Sequence, residues 1–451
     1  MKTKIIPFTL FLLCFVFCNA SIDSINVRIF SDLSISNVKI EPHTGTYVIA
    51  ADNEEFLLPS SGNIELSVRN SRIQIRIAGR DKGAFKNVSL STKDSLGILK
   101  FIPNQNINSR REYEGNFVFS ATGTFIQIVN NMEMERYIAA VVQAEIYGRP
   151  DQLDIFKVQS VISRTWVLKN MQKHKNDGYN VCDGVHCQAY KNRCLRKEIF
   201  QATQETHEEV MIDGNGNLIE TAFHSNSGGQ TVNSEDFWQS PLPYLRSIVD
   251  TFSYKMAKSV WERKIPKNDW LNYFKNTHKL DINNNEIAET LLNFQQEQRK
   301  TRIHTVSLRS VREDLKLMST FFSVTEDGND VRLSGKGFGH GVGLSQEGAI
   351  RMVELGYPYQ EILTFYYTDA KLRKPDGVYE STIIKEPVIA DVSPTVTPKK
   401  ELATEEVPEK KEEDKKPSNK ERKKRTAKKD TTEKSPVVYP EEEAEFEIII
   451  D

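Results

Sequence analysis

The chain has 451 residues, with 60 Lys plus Arg against 62 Asp plus Glu and a formal net charge of −2. That balance gives no reason to expect a polyanionic partner, nucleic acid included. The length allows two or three domains, and beyond the N-terminal leader no stretch approaches the roughly 18 consecutive apolar residues that span a bilayer.

Residues 1–20 read as a secretory signal peptide. Lys2 and Lys4 precede an apolar run from Ile5 to Phe17, and Cys18-Asn19-Ala20 supplies small residues before Ser21. Cleavage after Ala20 places the protein in the periplasm, the cell envelope or the exterior. A lipidated Cys18 is the competing reading, which the bulky Phe17 disfavours.

Residues 21–130 are strand-like. Ile25-Asn26-Val27-Arg28-Ile29-Phe30, Ile64-Glu65-Leu66-Ser67-Val68, Ile73-Gln74-Ile75-Arg76-Ile77 and Phe125-Ile126-Gln127-Ile128-Val129 alternate with period two between turn residues. They predict a β-rich, antiparallel N-terminal region.

The pattern then changes to helix. Over 131–147, Asn131 is placed to cap and Glu133 and Glu135 suit the first turn. Met134, Ile138, Val141 and Glu145 follow one face. A carboxylate that continues an apolar stripe loses hydration, and its pKa rises toward that of a general acid. A surface Glu at a fraying helix end before Gly148 fits the same spacing, so both readings stand at this point. A second helix follows, with Pro150 allowed in its first turn, Asp151 and Asp154 at its start, and Ile155, Val158, Val161, Ile162 and Thr165 on its buried face. Arg164 flanks that face, either as a ligand for substrate or as the partner of a nearby acid.

All three cysteines beyond the leader fall in one interval: Cys182, Cys187 and Cys194, with His174 and His186 alongside. His174, Cys182, His186 and Cys187 are read as ligands of one structural zinc, and Cys194 as spare. A disulfide is the alternative in an exported protein.

Two small-residue runs follow. Phe223-His224-Ser225-Asn226-Ser227-Gly228-Gly229-Gln230-Thr231 contains an adjacent His and Ser, but neighbours on an extended strand point to opposite faces. No Gly-x-Ser-x-Gly elbow accompanies them, so a loop that hydrogen-bonds a polar ligand is the better reading. Gly335-Lys336-Gly337-Phe338-Gly339-His340-Gly341-Val342-Gly343-Leu344-Ser345-Gln346 has five glycines, which suits the wall of a cleft. A helical pattern over 347–355 with Gly356 as its stop shows that this run feeds an ordered element. From about residue 386 the composition is Lys, Glu, Pro, Thr and Ser, too poor in apolar residues to fold. The organisation expected is thus leader 1–20, β-rich part 21–130, core 131–375 and a disordered charged tail 376–451.

In order, Val141-Val142-Gln143-Ala144-Glu145, Val158-Gln159-Ser160-Val161-Ile162-Ser163-Arg164-Thr165, the Cys182 to Tyr190 interval, His224 to Thr231 and Gly337 to Ala349 closely resemble the stage II sporulation protein D/LytB (SpoIID/LytB) family. The likeness runs over about residues 25–372. It implies an α+β fold, in which the β-rich part joins a helical and mixed α/β core that forms a glycan groove. It also implies peptidoglycan as target. Sporulation members of this family are lytic transglycosylases that cut the MurNAc–GlcNAc bond of strands stripped of stem peptides. LytB-like members include noncatalytic modifiers of a wall amidase.

The resemblance transfers the catalytic acid/base onto Glu145 and a site role onto Arg164. His224, Ser225, Ser227, Gly228, Gly229, Thr231, Gly339, His340, Gly341, Ser345 and Gln346 are expected to line the groove. The Cys/His group resembles the zinc-binding pattern of some members. Glycan strands and other wall hydrolases are the partners implied. Ile146-Tyr147-Gly148 departs from the Met-Pro more usual after the Glu, and 267–310 matches loosely.

Overall fold

The computed structural model describes residues 23–93, 96–238 and 240–379. The leader and nearly all of the charged tail lie outside them. All described residues fall within one unit.

Alternation of apolar and polar residues builds two sheets on one core. A seven-stranded sheet runs in the order Val181–Cys182, Ser24–Ile29, Phe125–Glu133, Asn116–Thr122, Val88–Thr92, Tyr47–Ala51, Glu54–Leu58. A six-stranded antiparallel sheet runs Arg111–Glu114, Ile98–Pro103, Asn37–Thr44, Ile64–Arg69, Arg72–Ile77, Arg80–Phe85. Ile25, Val27 and Ile29 of one sheet and Ile40, Leu66 and Ile75 of the other are all buried in the same cluster. Phe101 and Phe117, one from each sheet, meet with ring centroids 4.8 Å apart. The four predicted strands are all present, and the architecture is α+β.

One boundary differs from expectation. Asn131 does not cap a helix: the strand Phe125–Glu133 carries on through it, pairing Asn131 with Asn26 on one side and Asn116 on the other. Six partners on Ser24–Ile29 hold that strand extended, and a ladder of that length overrides the local capping preference of Asn. The helix is Met134–Glu145, with Glu133 in the cap position. The next helix is Leu153–Lys169, so Pro150 precedes its first turn rather than lying in it. Its predicted face, Ile155, Val158, Val161, Ile162 and Thr165, is buried.

A second apolar cluster was not foreseen. The antiparallel strands Val260–Pro266, Asp330–Lys336 and Phe322–Asp327 pack with helices Lys267–His278, Asn285–Leu292 and Leu308–Leu315 around Trp270, Phe274, Leu291, Val311, Val324 and Leu333. At the C-terminal end, Gly377–Tyr379 pairs with Lys371–Lys374. The boundary expected at residue 375 therefore falls inside a hairpin. Among the described residues no helix is long and apolar enough to cross a membrane.

Candidate functional site

Glu145 ends its helix, and Ile146 leads away in extended backbone at φ −133°, ψ 137°. The side chain emerges half-buried where three segments converge. Its Oε1 accepts the Ala189 N–H at 2.8 Å. Its carbonyl accepts from Gln346 Nε2 at 3.0 Å, and that amide also reaches Gln159 Oε1 at 3.4 Å. Trp166, Val185, Cys187, Gln188, Phe223 and His340 complete a small cleft around the carboxyl group. Desolvation raises the Glu145 pKa from 4.5 to about 7, against the opposing pull of the Ala189 N–H and the more distant Lys191 ammonium. A carboxyl group poised there can be protonated or ionised near neutral pH.

The loop that supplies Ala189 is fixed at several points. Val181–Cys182 pairs in parallel with Val27 and Arg28. The buried Asp183 carboxylate accepts the Phe30 and Ser31 N–H groups and Arg111 Nη1 at 2.6, 2.9 and 2.7 Å. Gln188 is held at both ends, accepting from Tyr137 Oη at 3.1 Å and donating to the Ser163 carbonyl at 3.3 Å.

Between these anchors lies the Cys/His group. One donor atom from each of His174, Cys182, His186 and Cys187 falls within 4.8 Å of every other, so the four could hold a metal ion. Cys187 Sγ stands 3.5 Å from His174 Nε2, and His186 Nδ1 stands 3.8 Å from both sulfurs. The Cys187 thiol, donating to Cys182, pulls the Cys182 pKa below the usual thiol range, and the same contact with burial pushes Cys187 up. Cys182, Cys187 and Cys194 are all free thiols. Cys194 lies outside the group, donating to the Arg196 carbonyl at 3.4 Å.

The two glycine-bearing runs meet each other. Phe223 and His224 pair in parallel with Leu344 and Ser345, and Asn226 exchanges backbone hydrogen bonds with Phe338 at 3.0 and 2.8 Å. Gly339 has φ +104°, and a Cβ there would stand 2.8 Å from His224 Cβ. The run is glycine-rich because two backbones touch. His340 enters the Glu145 cleft, its Nδ1 accepting the Val342 N–H at 3.0 Å. Burial first, then the Arg312 charge, hold its pKa down at about 3, so the ring stays neutral. His224 lies behind it with ring centroids 5.5 Å apart.

Of the expected groove residues, Glu145, His340 and Gln346 come together. The others do not reach this cleft. Arg164 is buried in an ion pair with Glu135 (2.8 and 2.6 Å) and donates to the Glu209 and Thr203 carbonyls, which makes it structural. Ser227 and Ser345 belong to a buried network with Ser253 and Asp250. Ser345 also caps the helix Gln346–Glu354 through the Gly348 N–H. Thr231 Oγ1 is taken by Arg246 and Ile248, and Gly228 and Gly229 are buried against Lys336 and Tyr254. Ser225 is half-buried, its carbonyl accepting the Glu347 N–H at 2.9 Å. Gly341 faces Val232 and Arg299 on the far side. Sequence reasoning missed the Ala189 N–H, because a backbone donor leaves no side-chain signal, and it missed Gln188 and Trp166 as cleft residues.

This is an α+β domain with one raised carboxyl group in a cleft, beside a four-residue group of metal-ligating type. Residues 122–212, which span Glu145, Arg164 and the whole Cys/His group, match the family model for the stage II sporulation protein SpoIID. The chain is 28% identical to stage II sporulation protein D of Bacillus subtilis over 294 residues, 57% of this chain and 80% of that one. It is equally similar, at 28% over 284 residues, to its counterpart in Bacillus amyloliquefaciens, of which 79% is covered. An amidase enhancer of B. subtilis is 27% identical over 276 residues, 49% of this chain and 38% of its own length. Residues 122–212 thus match a SpoIID domain model, and the chain is similar to proteins named stage II sporulation protein D and amidase enhancer.

Proposed function

We propose that this protein acts on the bacterial cell wall as a peptidoglycan lytic transglycosylase, with Glu145 as acid and then base. The observation that carries the reading is a carboxyl group, the one acid among the described residues lining its cleft, with a pKa raised to about 7 and oriented by one backbone N–H. Hydrolysis of a glycosidic bond needs a second carboxylate as base or nucleophile. Lytic cleavage does not, because the C6 hydroxyl of the sugar is the nucleophile. Glu145 protonates the oxygen between MurNAc and GlcNAc as that bond breaks. The carboxylate left behind then takes the proton of the C6 hydroxyl as the 1,6-anhydro ring closes. The neutral His340 ring would form the wall of the cleft beside the acid, and Gln346 would hold the end of the helix that carries it.

A structural zinc at His174, Cys182, His186 and Cys187 belongs to the same proposal. Tetrahedral Zn–S and Zn–N bonds set ligands about 3.3–3.8 Å apart, and the separations of 3.5, 3.8 and 3.8 Å suit that geometry. Asp177 Oδ2 lies 3.2 Å from His174 Nδ1, as an outer partner orienting a metal-bound imidazole would. When bound, the ion would crosslink the loop and leave no ligand position for water. Ala189 follows directly on that loop, so its N–H would be held against Glu145.

The likeness to an amidase enhancer favours a second reading, a glycan-binding modifier of a wall amidase in which Glu145 only hydrogen-bonds sugar. Incubating the Glu145→Gln variant and the parent with purified glycan strands separates the two. Cleavage by the parent alone supports the enzyme, and binding by both without product supports the modifier.

A further inference from the structure

On the other side of the His340 segment from Glu145 lies a second hollow that the acid–base chemistry does not use. Thr231, Asp236, Phe237, Arg299, Lys300 and Arg309 are among the residues that line it. It adjoins the first cleft: Phe237 meets His340 with ring centroids 5.7 Å apart and planes tilted by 47°. Gly341, the next residue, leaves room for Arg299, since a Cβ there would stand 3.0 Å from Nη2. Its cavity of about 100 Å³ holds a few water-sized groups, enough for a side group of a ligand and too little for a sugar ring.

The charges are what make this hollow unusual. Arg299 donates Nε to the Gln230 carbonyl at 2.6 Å, Nη2 to the Ser227 carbonyl at 2.7 Å and Nη1 to Thr320 Oγ1 at 3.2 Å. Among the described residues it has no carboxylate partner, although desolvation lowers its pKa to about 9. Three of its five N–H groups are thereby used and two remain. Arg309 is held by the Phe237 carbonyl at 2.8 Å and by Glu313 at 2.6 Å, and Lys300 is exposed at the rim. Asp236 is the one acid among the lining residues, and its carboxylate accepts from Asn233 at 2.9 Å. With Arg309 paired to Glu313 and Asp236 set against Lys300, the Arg299 guanidinium is left as the uncompensated charge. A buried guanidinium without a counter-ion is costly to keep, and a carboxylate is the anion its planar fork fits.

Building on the glycan reading above, we infer that Arg299, with Lys300 and Arg309, forms a subsite for a carboxylate carried by the glycan: the lactyl carboxylate of a MurNAc bound alongside the Glu145 cleft. A free lactyl group is charged only where no stem peptide is attached. The preference for stripped strands that the resemblance implies would then have a residue-level cause in this hollow.

The test uses the Glu145→Gln protein, to prevent turnover, and calorimetry with four saccharides of equal length. These are a neutral GlcNAc oligomer, a muramyl oligomer with free lactyl carboxylate, its lactyl carboxamide, and a form with alanine on the lactyl group that moves the carboxylate outward. The free lactyl form should bind about ten- to hundred-fold more tightly than the carboxamide, the range of one charge-assisted hydrogen bond. Arg299→Gln should abolish that ratio. Lys300→Ala, at an exposed position that keeps the fold, should reduce it. Equal affinity for carboxylate and carboxamide would overturn the subsite and leave the glycan reading standing. Tighter binding of the alanine form would overturn the lactyl assignment. Failure to bind any of the four would remove the glycan reading and the subsite with it.

Discussion

Replacing Glu145 by Gln tests the desolvated carboxyl group through stability as well as through rate. Its pKa stands near 7 against an ordinary 4.5. At about 1.4 kcal/mol per unit, ionising it costs the folded state at most roughly 3–4 kcal/mol more than the unfolded chain. Allowing for the open side of the cleft, a working range is about 1–3 kcal/mol. The sign follows from proton binding. Between pH 4.5 and 7 the native state holds more protons at this site than the unfolded state does. The group's contribution is therefore fully present below the unfolded pKa and lost as pH rises through the folded one. Gln keeps the shape and an oxygen for the Ala189 N–H but never ionises. The variant should match the parent near pH 4.5 and exceed it by about 1–3 kcal/mol near pH 8. Urea unfolding of both proteins across that interval measures the difference, and subtraction cancels the thiols and imidazoles they share. A difference that does not change with pH, or a parent more stable than the variant near pH 8, would refute the desolvation argument.

Cleavage by the same Glu145→Gln variant should fall by about 10²–10⁴, measured as anhydro-product formed per unit time. Arg164→Met should lower stability by about 3–5 kcal/mol, because it leaves the buried Glu135 charge without its partner; urea unfolding checks this, and an unchanged midpoint would show the pair to be dispensable. Metal analysis of native protein should find about one equivalent of zinc, and Cys182→Ser should lose both the metal and thermal stability; a metal-free native protein with a Cys182–Cys187 disulfide would contradict it. A chain of residues 21–384 should unfold at the same temperature as one of residues 21–451, whereas one ending at 375 loses the strand Gly377–Tyr379 and should melt lower.

Much of the site was legible because its signals are local. The helical stripe ending at Glu145 is carried by three- and four-residue spacing, and the Cys/His interval needs no tertiary knowledge to be noticed. What escaped depends on contacts distant in sequence. Arg164 could be read as a ligand or a partner until Glu135 was seen beside it at 2.6 Å. Ser227, Gly228, Gly229 and Thr231 look like polar groups offered to a ligand, yet pairing of the two small-residue runs turns them inward. The period-two strands were plain where alternation was strict, as in Ile73–Ile77. Arg80–Phe85, with Arg80, Asp81 and Lys82 exposed, gave no such signal. Asn131 misled because a capping preference worth about 1 kcal/mol competes poorly with a two-sided ladder. The second apolar cluster was hidden because its strands, 260–266 and 322–336, are separated by more than fifty residues of short helices and loops.

The central claim concerns which bond is cut and how. Purified glycan strands digested with the protein lacking residues 1–20, then separated and weighed by mass spectrometry, report it directly. Fragments ending in 1,6-anhydro-MurNAc, 18 mass units lighter than hydrolysed ends as the loss of one water requires, are the predicted result. Reducing ends, released stem peptides, or intact strands that remain bound would contradict it.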